Sequence, residues 1–150
     1  MRNIEKCILT NMCMICDGTK VLVQKRVKNW KGVSFPGGHI EERESFVLST
    51  IREIYEETGL IIKNLSLCGI KQYTHNIENY RYIVFLYKTN SFEGELKSSE
   101  EGEVFWIQLD EIKNYKLSEG FEEMLEIFLN DKLSENYYYL KNNEWVVKNL

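Results

Sequence analysis

Between positions 44 and 57 the chain carries four glutamates and one arginine: Glu44, Arg52, Glu53, Glu56 and Glu57. On a helix, at roughly 100° per residue, Glu53, Glu56 and Glu57 fall within about 100° of one another. Like charges at i, i+3 and i+4 repel by a few tenths of a kcal/mol per pair, so a sequence tuned for stability alone would alternate the signs. A hard divalent cation relieves that repulsion, and ligation by oxygen alone suits Mg²⁺ or Mn²⁺. The competing interpretation is a solvated acidic face. Two neighbouring features weigh against it. Pro36-Gly37-Gly38 supplies a tight turn with accessible backbone groups near the helix start, and Arg52 precedes Glu56 by one helical turn, where it orients a carboxylate while keeping it charged.

The elements that must hold these groups are legible in the hydrophobic pattern. From Ser45 to Thr58 the period is helical, with Val47, Leu48, Ile51, Ile54 and Tyr55 as the expected buried stripe opposite the carboxylates, and Gly59 as the stop. Strands are expected at 5–16 and 20–27, joined at Asp17-Gly18, and near 61–73, 80–89 and 103–109. A second amphipathic helix covers about 119–130, with Phe121, Met124, Leu125, Phe128 and Leu129 on one stripe. The tail reads as a hairpin turning at Lys141-Asn142-Asn143. No repeat or linker divides the chain, so one domain over residues 1–150 is expected, with strands and helices combined as an α/β or α+β sheet covered by helices.

Composition narrows the partners. The chain has 150 residues, 43% hydrophobic and 28% charged, with 19 Lys and Arg against 23 Asp and Glu for a net charge of −4. That balance disfavours a long nucleic acid as partner and leaves a free nucleotide, bridged by metal ions, in play. There is no apolar run long enough for a transmembrane helix, and the first residues lack the pattern of a signal peptide, so a cytoplasmic protein that does not bind membranes, a monomer or homodimer, is expected. Cys13-x-x-Cys16 lies in an apolar strand-like stretch without a second pair at zinc-site spacing. It reads as buried reduced thiols rather than a metal or redox pair.

Gly38, five residues, Glu44, seven residues, Arg52-Glu53-Ile54, one residue, Glu56-Glu57, one residue, Gly59-Leu60 resembles a complete Nudix box. A chance match in such a chain is on the order of one in ten million. The resemblance implies an αβα sandwich with a mixed central sheet that presents the box as loop-helix-loop, and an Mg²⁺-dependent hydrolase of nucleoside diphosphates linked to another moiety, with Mn²⁺ as substitute. It assigns metal ligation to Glu56 and Glu57, helped by the Gly37 carbonyl, and gives Glu53 either ligation or the proton of the attacking water. Glu44 assists, Arg52 holds the cluster in register, and Glu101, then Glu100, adds a carboxylate from a later loop.

The segments Phe35-Pro36-Gly37-Gly38, Cys68-Gly69-Ile70-Lys71-Gln72 and Glu101-Gly102-Glu103-Val104-Phe105-Trp106 resemble the MutT-type branch, whose members are 8-oxo-dGTP diphosphatases of the nucleotide pool, acting in mutation avoidance and DNA repair. The ADP-ribose branch is disfavoured because no proline follows the box. Tyr80 or Tyr82 keeps a dinucleoside-polyphosphate or broad nucleoside triphosphate pyrophosphohydrolase as the alternative. Candidate substrate contacts each have a structural counterpart: Lys25 and Arg26 for phosphate or as a solvated strand end, Phe35 for a purine or the core, Arg81 for phosphate or base, or as a surface charge. Gly38 belongs to the phosphate loop. Ser118 and Glu119 resemble the segment that reads the base edge, against ordinary helix capping. His39 and His75 read as loop or strand-edge residues that the mechanism does not need.

Overall fold

Apolar alternation along the first strands produces the expected hairpin. β1 (Cys7–Asp17) and β2 (Lys20–Arg26) pair antiparallel, with Asp17 opposite Lys20 and Gly18-Thr19 as the two-residue turn. The structure is a computed structural model and describes residues 2–150; Met1, where the segment read for a leader begins, lies outside them. The chain continues through β3 (Gly32–Ser34), β4 (Gly37–His39), α1 (Phe46–Thr58), β5 (Leu60–Lys63), β6 (Ser66–His75), β7 (Tyr80–Thr89), β8 (Ser91–Gly94) and β9 (Gly102–Gln108). A 3₁₀-helix (Leu109–Asn114), α2 (Phe121–Leu129), β10 (Glu135–Lys141) and β11 (Glu144–Asn149) complete it.

Nine strands form one mixed sheet in the order β11-β10-β6-β7-β1-β2-β3, with β4 added on β1 and β9 on β2. β1 is the pivot. It runs parallel to β7 along one side, while on the other side β4 pairs at Thr10–Met12 and β2 only at Cys16 and Asp17. The two partners diverge there, and the sheet opens beside the β4 loop.

Side-chain alternation then builds two cores. Met14 of β1, Val21 and Val23 of β2, and Val84 and Leu86 of β7 pack with Phe121, Met124, Leu125 and Phe128 of α2. Cys13 and Ile15, Leu22 and Tyr87 point to the other face, against Ile54 of α1 and Leu60 and Ile62 of β5. One helix therefore covers each face, as the αβα expectation requires. The three-residue spacing of Cys13 and Cys16 sends them to opposite faces, and all four cysteines are free. Burial pushes the Cys13 thiol well above its ordinary value.

Several boundaries depart from the sequence reading. The strand expected at 61–73 breaks at Asn64, which takes a positive φ of 55°, so β5 leaves the main sheet and pairs with β8. β3, β4, β8 and the 3₁₀-helix are too short to leave a periodic signal. The terminal hairpin forms where expected, with Asn142 and Asn143 both at positive φ in its turn. The buried stripe of α1 is the main correction. Ile54 is buried as expected, but Val47, Leu48 and Tyr55 are exposed, and Ser49, Thr50, Glu57 and Thr58 are buried in their place. The helix is rolled by roughly a quarter turn toward its carboxylates. Small residues at the contact let it approach the sheet, and the buried Thr50 and Thr58 hydroxyls donate to the Phe46 and Ile54 carbonyls four residues back.

No helix among the described residues is long and apolar enough to cross a membrane.

Candidate active site

α1 is fixed at both ends. The Ser45 hydroxyl accepts the Leu48 N–H at 3.2 Å, and Gly59, left-handed at φ 78°, donates its N–H to the Tyr55 carbonyl. The intervening turns lie against β4, whose Gly37 and Gly38 pair with Met12 and Asn11 of β1. Both glycines are needed for this approach. A Cβ on Gly37 would overlap the Asn11 carbonyl oxygen, and one on Gly38 would overlap the Glu53 carboxylate. Asn11, buried on β1, ties the two parts together: its Oδ1 accepts the Gly38 N–H at 3.0 Å and its Nδ2 donates to the Ser49 hydroxyl at 3.1 Å. Sequence reasoning missed Asn11, since a lone Asn in an apolar strand carries no motif.

Arg52 gathers the cluster. Its Nε and Nη2 donate to the two oxygens of Glu44 at 2.7 and 2.9 Å, its Nη1 to Glu53 at 3.1 Å and to Glu56 at 3.2 Å, and Nη2 also to the His39 carbonyl at 3.1 Å. The bidentate fork and the Glu41 N–H hold the Glu44 carboxyl down at about 2. Arg52 itself is pushed above its already high value, chiefly by Glu44.

Glu57 is different in kind. It is 7% exposed and accepts the Gly37 N–H at 3.1 Å, with the Gln24 amide at 3.5 Å, but no cation faces it within ion-pair distance among the described residues. Burial raises its pKa to about 7, opposed by the Gly37 hydrogen bond and reinforced by Glu53. Glu53 is raised as well, first by burial, against the pull of Arg52. Two desolvated carboxylates beside Glu56 and the backbone of Gly37 in the same cleft form a hard oxygen donor set with surplus negative charge, which fits Mg²⁺ or Mn²⁺. Among the described residues no three His, Cys, Asp or Glu side chains are already drawn together around one point; Arg52 pairs with Glu44, Glu53 and Glu56 and not with Glu57.

Glu53, Glu56 and Glu57, though not Glu44 or Arg52, line one cleft of about 660 Å³ that runs from the α1 carboxylates across the open side of β1 to α2. It brings together Gly37, Gly38, Glu53, Glu56, Glu57, Arg26, Glu100, Glu101, Ser118 and Glu119. Glu101 reaches the rim, where Lys28 approaches it at 3.3 Å. Ser118 does not cap α2. Gly120 occupies the cap position, and the Ser118 hydroxyl donates to the Trp30 carbonyl at 2.7 Å.

Three expected substrate contacts lie elsewhere. Lys25 is exposed and outside the cleft, because strand alternation turns Gln24 and Arg26 toward the site and Lys25 away. Phe35 is completely buried, edge-on to Phe121 and Phe128 at 4.9 and 5.1 Å, so it is core. Arg81 is taken up by Glu5 at 2.7 and 2.9 Å and by the Gln72 amide oxygen at 3.0 Å, which ties the chain start to β7. Tyr82, already a candidate from the sequence, lines the cleft, and the structure adds Lys71, Trp30 and Tyr73. Of these, Lys71 and Tyr73 share the inward parity of their strand, a signal that could have found them.

The sequence profile of the NUDIX domain matches residues 9–128. The uncharacterized Nudix hydrolase YvcI of Bacillus subtilis is 32% identical over 127 residues, covering 81% of this chain and 78% of that protein. An ADP-ribose pyrophosphatase of Methanocaldococcus jannaschii is 36% identical over 84 residues, 55% of this chain and 50% of that protein. An 8-oxo-dGTP diphosphatase of Buchnera aphidicola is 32% identical over 83 residues, 54% of this chain and 59% of that protein. Among solved structures, a MutT protein from Bacillus halodurans superposes with a TM-score of 0.77 at 24% identity over 94% of this chain and 97% of that one, a likeness of fold.

Proposed function

The chain belongs to the Nudix family of hydrolases, and from that premise we propose that its cleft cleaves nucleoside triphosphates to the nucleoside monophosphate and pyrophosphate, with 8-oxo-dGTP the favoured substrate. The observation that carries the reading is the union, in one cleft, of the desolvated carboxylates of α1 with an aromatic recess formed by Trp30, Tyr73 and Tyr82. The first suits metal-bound phosphates and the second a flat base. The resemblance to MutT-type segments and the Buchnera relative support the oxidised purine.

Bound Mg²⁺, or Mn²⁺ in its place, supplies neutralisation of polyphosphate charge and a water of lowered pKa. Glu56, Glu57 and the Gly37 carbonyl would hold it, with Glu53 beside them and Glu101 at the rim. Glu53 accepts the proton of the attacking water as its oxygen bonds to phosphorus and the P–O bond bridging the α- and β-phosphoryl groups breaks, the electron pair staying on the bridging oxygen of the departing group. Arg52 and Glu44 keep Glu53 and Glu56 aimed, and Arg26 meets phosphate oxygens. On this reading residues 1–150 work as one domain, monomer or homodimer, in the cytoplasm, where four free thiols are at home, and the role is sanitation of the nucleotide pool.

A second reading follows from the Methanocaldococcus match: an ADP-ribose substrate, which the lack of a proline after the box had set aside. Tyr82 on the cleft wall favours a dinucleoside polyphosphate in the same way. The test is product release with Mg²⁺ from 8-oxo-dGTP, dGTP, dATP, diadenosine tetraphosphate and ADP-ribose at matched low concentrations. A kcat/KM for 8-oxo-dGTP at least about tenfold above dGTP, some 1.4 kcal/mol, is the expected result. Faster cleavage of ADP-ribose or diadenosine tetraphosphate than of any triphosphate overturns the reading in favour of that substrate.

A further inference from the structure

At the far end of the cleft from the carboxylates, Lys71 is 9% exposed and makes no hydrogen bond or ion pair among the described residues. Its ammonium lies between two rings, 5.2 Å from the centroid of Trp30 and 4.8 Å from that of Tyr138. Tyr138 belongs to the terminal hairpin, beyond residues 9–128 of the family domain, and is anchored there by donating its hydroxyl to the Gly120 carbonyl at 3.4 Å. The hairpin joins the sheet through β10 on β6, with Asn136 opposite Lys71. Trp30 is held from below by Ser118. A buried cation has been given two flat walls and an open front onto the cleft.

The distance to the carboxylates follows from the sheet. Lys71 on β6 is level with Val84 on β7, Val84 with Thr10 on β1, and Thr10 with His39 on β4, next to Gly38. Three steps between neighbouring strands make about 14 Å. A metal-bound phosphate chain at Glu53 and Glu57 therefore leaves Lys71 for the opposite end of an extended nucleotide. Glu119 also lines this end, and Glu119 and Glu123 act electrostatically on Lys71. Their charge makes the recess unfavourable for a phosphate and favourable for a neutral ring.

We propose that Lys71 reads the base: its ammonium donates to a ring keto oxygen, so that the cleft prefers nucleotides of 6-oxo purines over those of 6-amino purines. This rests on the nucleotide reading of the cleft given above. An ammonium has three donors and no acceptor. Opposite O6 of guanine or 8-oxoguanine it is satisfied, and the Glu119 carboxylate beside it accepts from the neighbouring ring N–H. Opposite the amino group of adenine it faces another donor, and a buried ammonium left unpaired carries its full desolvation cost. Burial brings the Lys71 pKa down to about 8, with Glu119 and Glu123 opposing, so the donor form predominates at neutral pH.

The experiment compares kcat/KM for dGTP and dATP in the wild type, Lys71→Met and Lys71→Gln, with GMP and AMP binding measured calorimetrically in parallel and folding checked by thermal melts. The expected wild-type preference for dGTP is about tenfold or more, collapsing toward unity in both variants. A wild type without that preference, or a preference that survives in a folded variant, overturns the assignment. If the wild type hydrolyses neither triphosphate yet binds GMP over AMP, and the variants lose the difference, the base reading stands and the hydrolytic one falls. If neither nucleotide is bound or cleaved, both fall.

Discussion

Glu44 and Glu57 belong to one acidic cluster and are driven in opposite directions: the Arg52 fork holds Glu44 at about 2, while burial lifts Glu57 to about 7. The difference lies in what faces each carboxylate, a guanidinium in one case and only the neutral donors of Gly37 and Gln24 in the other.

The pH dependence of stability follows in two windows. Glu44 binds fewer protons in the folded state than in the unfolded one, so its contribution is present above the ordinary carboxylate value and is lost as pH falls toward 2. Glu57 has the reverse sign. Between about 4.5 and 7 the folded state holds the extra proton, and stability of the metal-free protein falls as pH rises, by up to roughly 3 kcal/mol. Urea midpoints at pH 5 and pH 7 in EDTA measure the drop. Saturating Mg²⁺ at pH 7 is expected to restore most of it.

Glu57→Gln keeps an acceptor for the Gly37 N–H and removes the uncompensated charge. The expected result at pH 7.5 is a metal-free protein that melts no lower than the wild type, with the Mg²⁺-induced rise in Tm abolished and kcat lower by about two orders of magnitude or more. A variant that retains both the Mg²⁺ response and near-normal turnover would remove Glu57 from the ligand set.

Arg52→Lys separates charge from geometry. A lysine is a point charge and does not reproduce the two bonds to Glu44 while also reaching Glu53 and Glu56. Turnover is expected to fall about tenfold to a hundredfold with a smaller change in KM, and stopped-assay kinetics with matched Mg²⁺ check it. Unchanged kcat would mean that the ion network is structural only.

Gly37→Ala and Gly38→Ala are expected to fail differently. At Gly37 the added carbon meets the Asn11 backbone, which does not yield, so the β1–β4 pairing is lost and Tm drops. At Gly38 it meets only the end of the Glu53 side chain. The fold survives there, but displacement of Glu53 by an ångström or so lowers kcat on the order of a hundredfold. Melting curves beside initial rates distinguish the two, and equal effects of both substitutions on Tm would contradict the geometry.

Legibility was high where local chemistry and periodicity coincide. The spacing from Gly38 to Leu60, the Ser45 start and Gly59 stop of α1, and the two hairpins were all readable from neighbouring residues. It was low where long-range packing decides. Phe35 carries the same apolar signal whether it stacks on a base or fills a core, and only the arrival of Phe121 and Phe128 from the other end of the chain makes it core. Arg81 looked available because Glu5, its partner, is 76 residues away.

The amino-acid sequence by itself determined which carboxylates are gathered on one helix face beside a glycine turn. Carboxylate count, spacing and the glycine turn are local properties, and a helix of known pitch converts them into a shared face. Tertiary structure alone decided which way that face turned. Small residues at 49, 50 and 58 let α1 roll its carboxylates inward against Gly37 and Gly38, where burial sets the charge of Glu57. It also decided the far end of the cleft, since Lys71, Trp30 and Tyr138 are distant in sequence: β10 joining β6 brings Tyr138 to Lys71, and Trp30 arrives from the loop between β2 and β3. Side-chain environments of that kind arise from strand order, which no local pattern encodes.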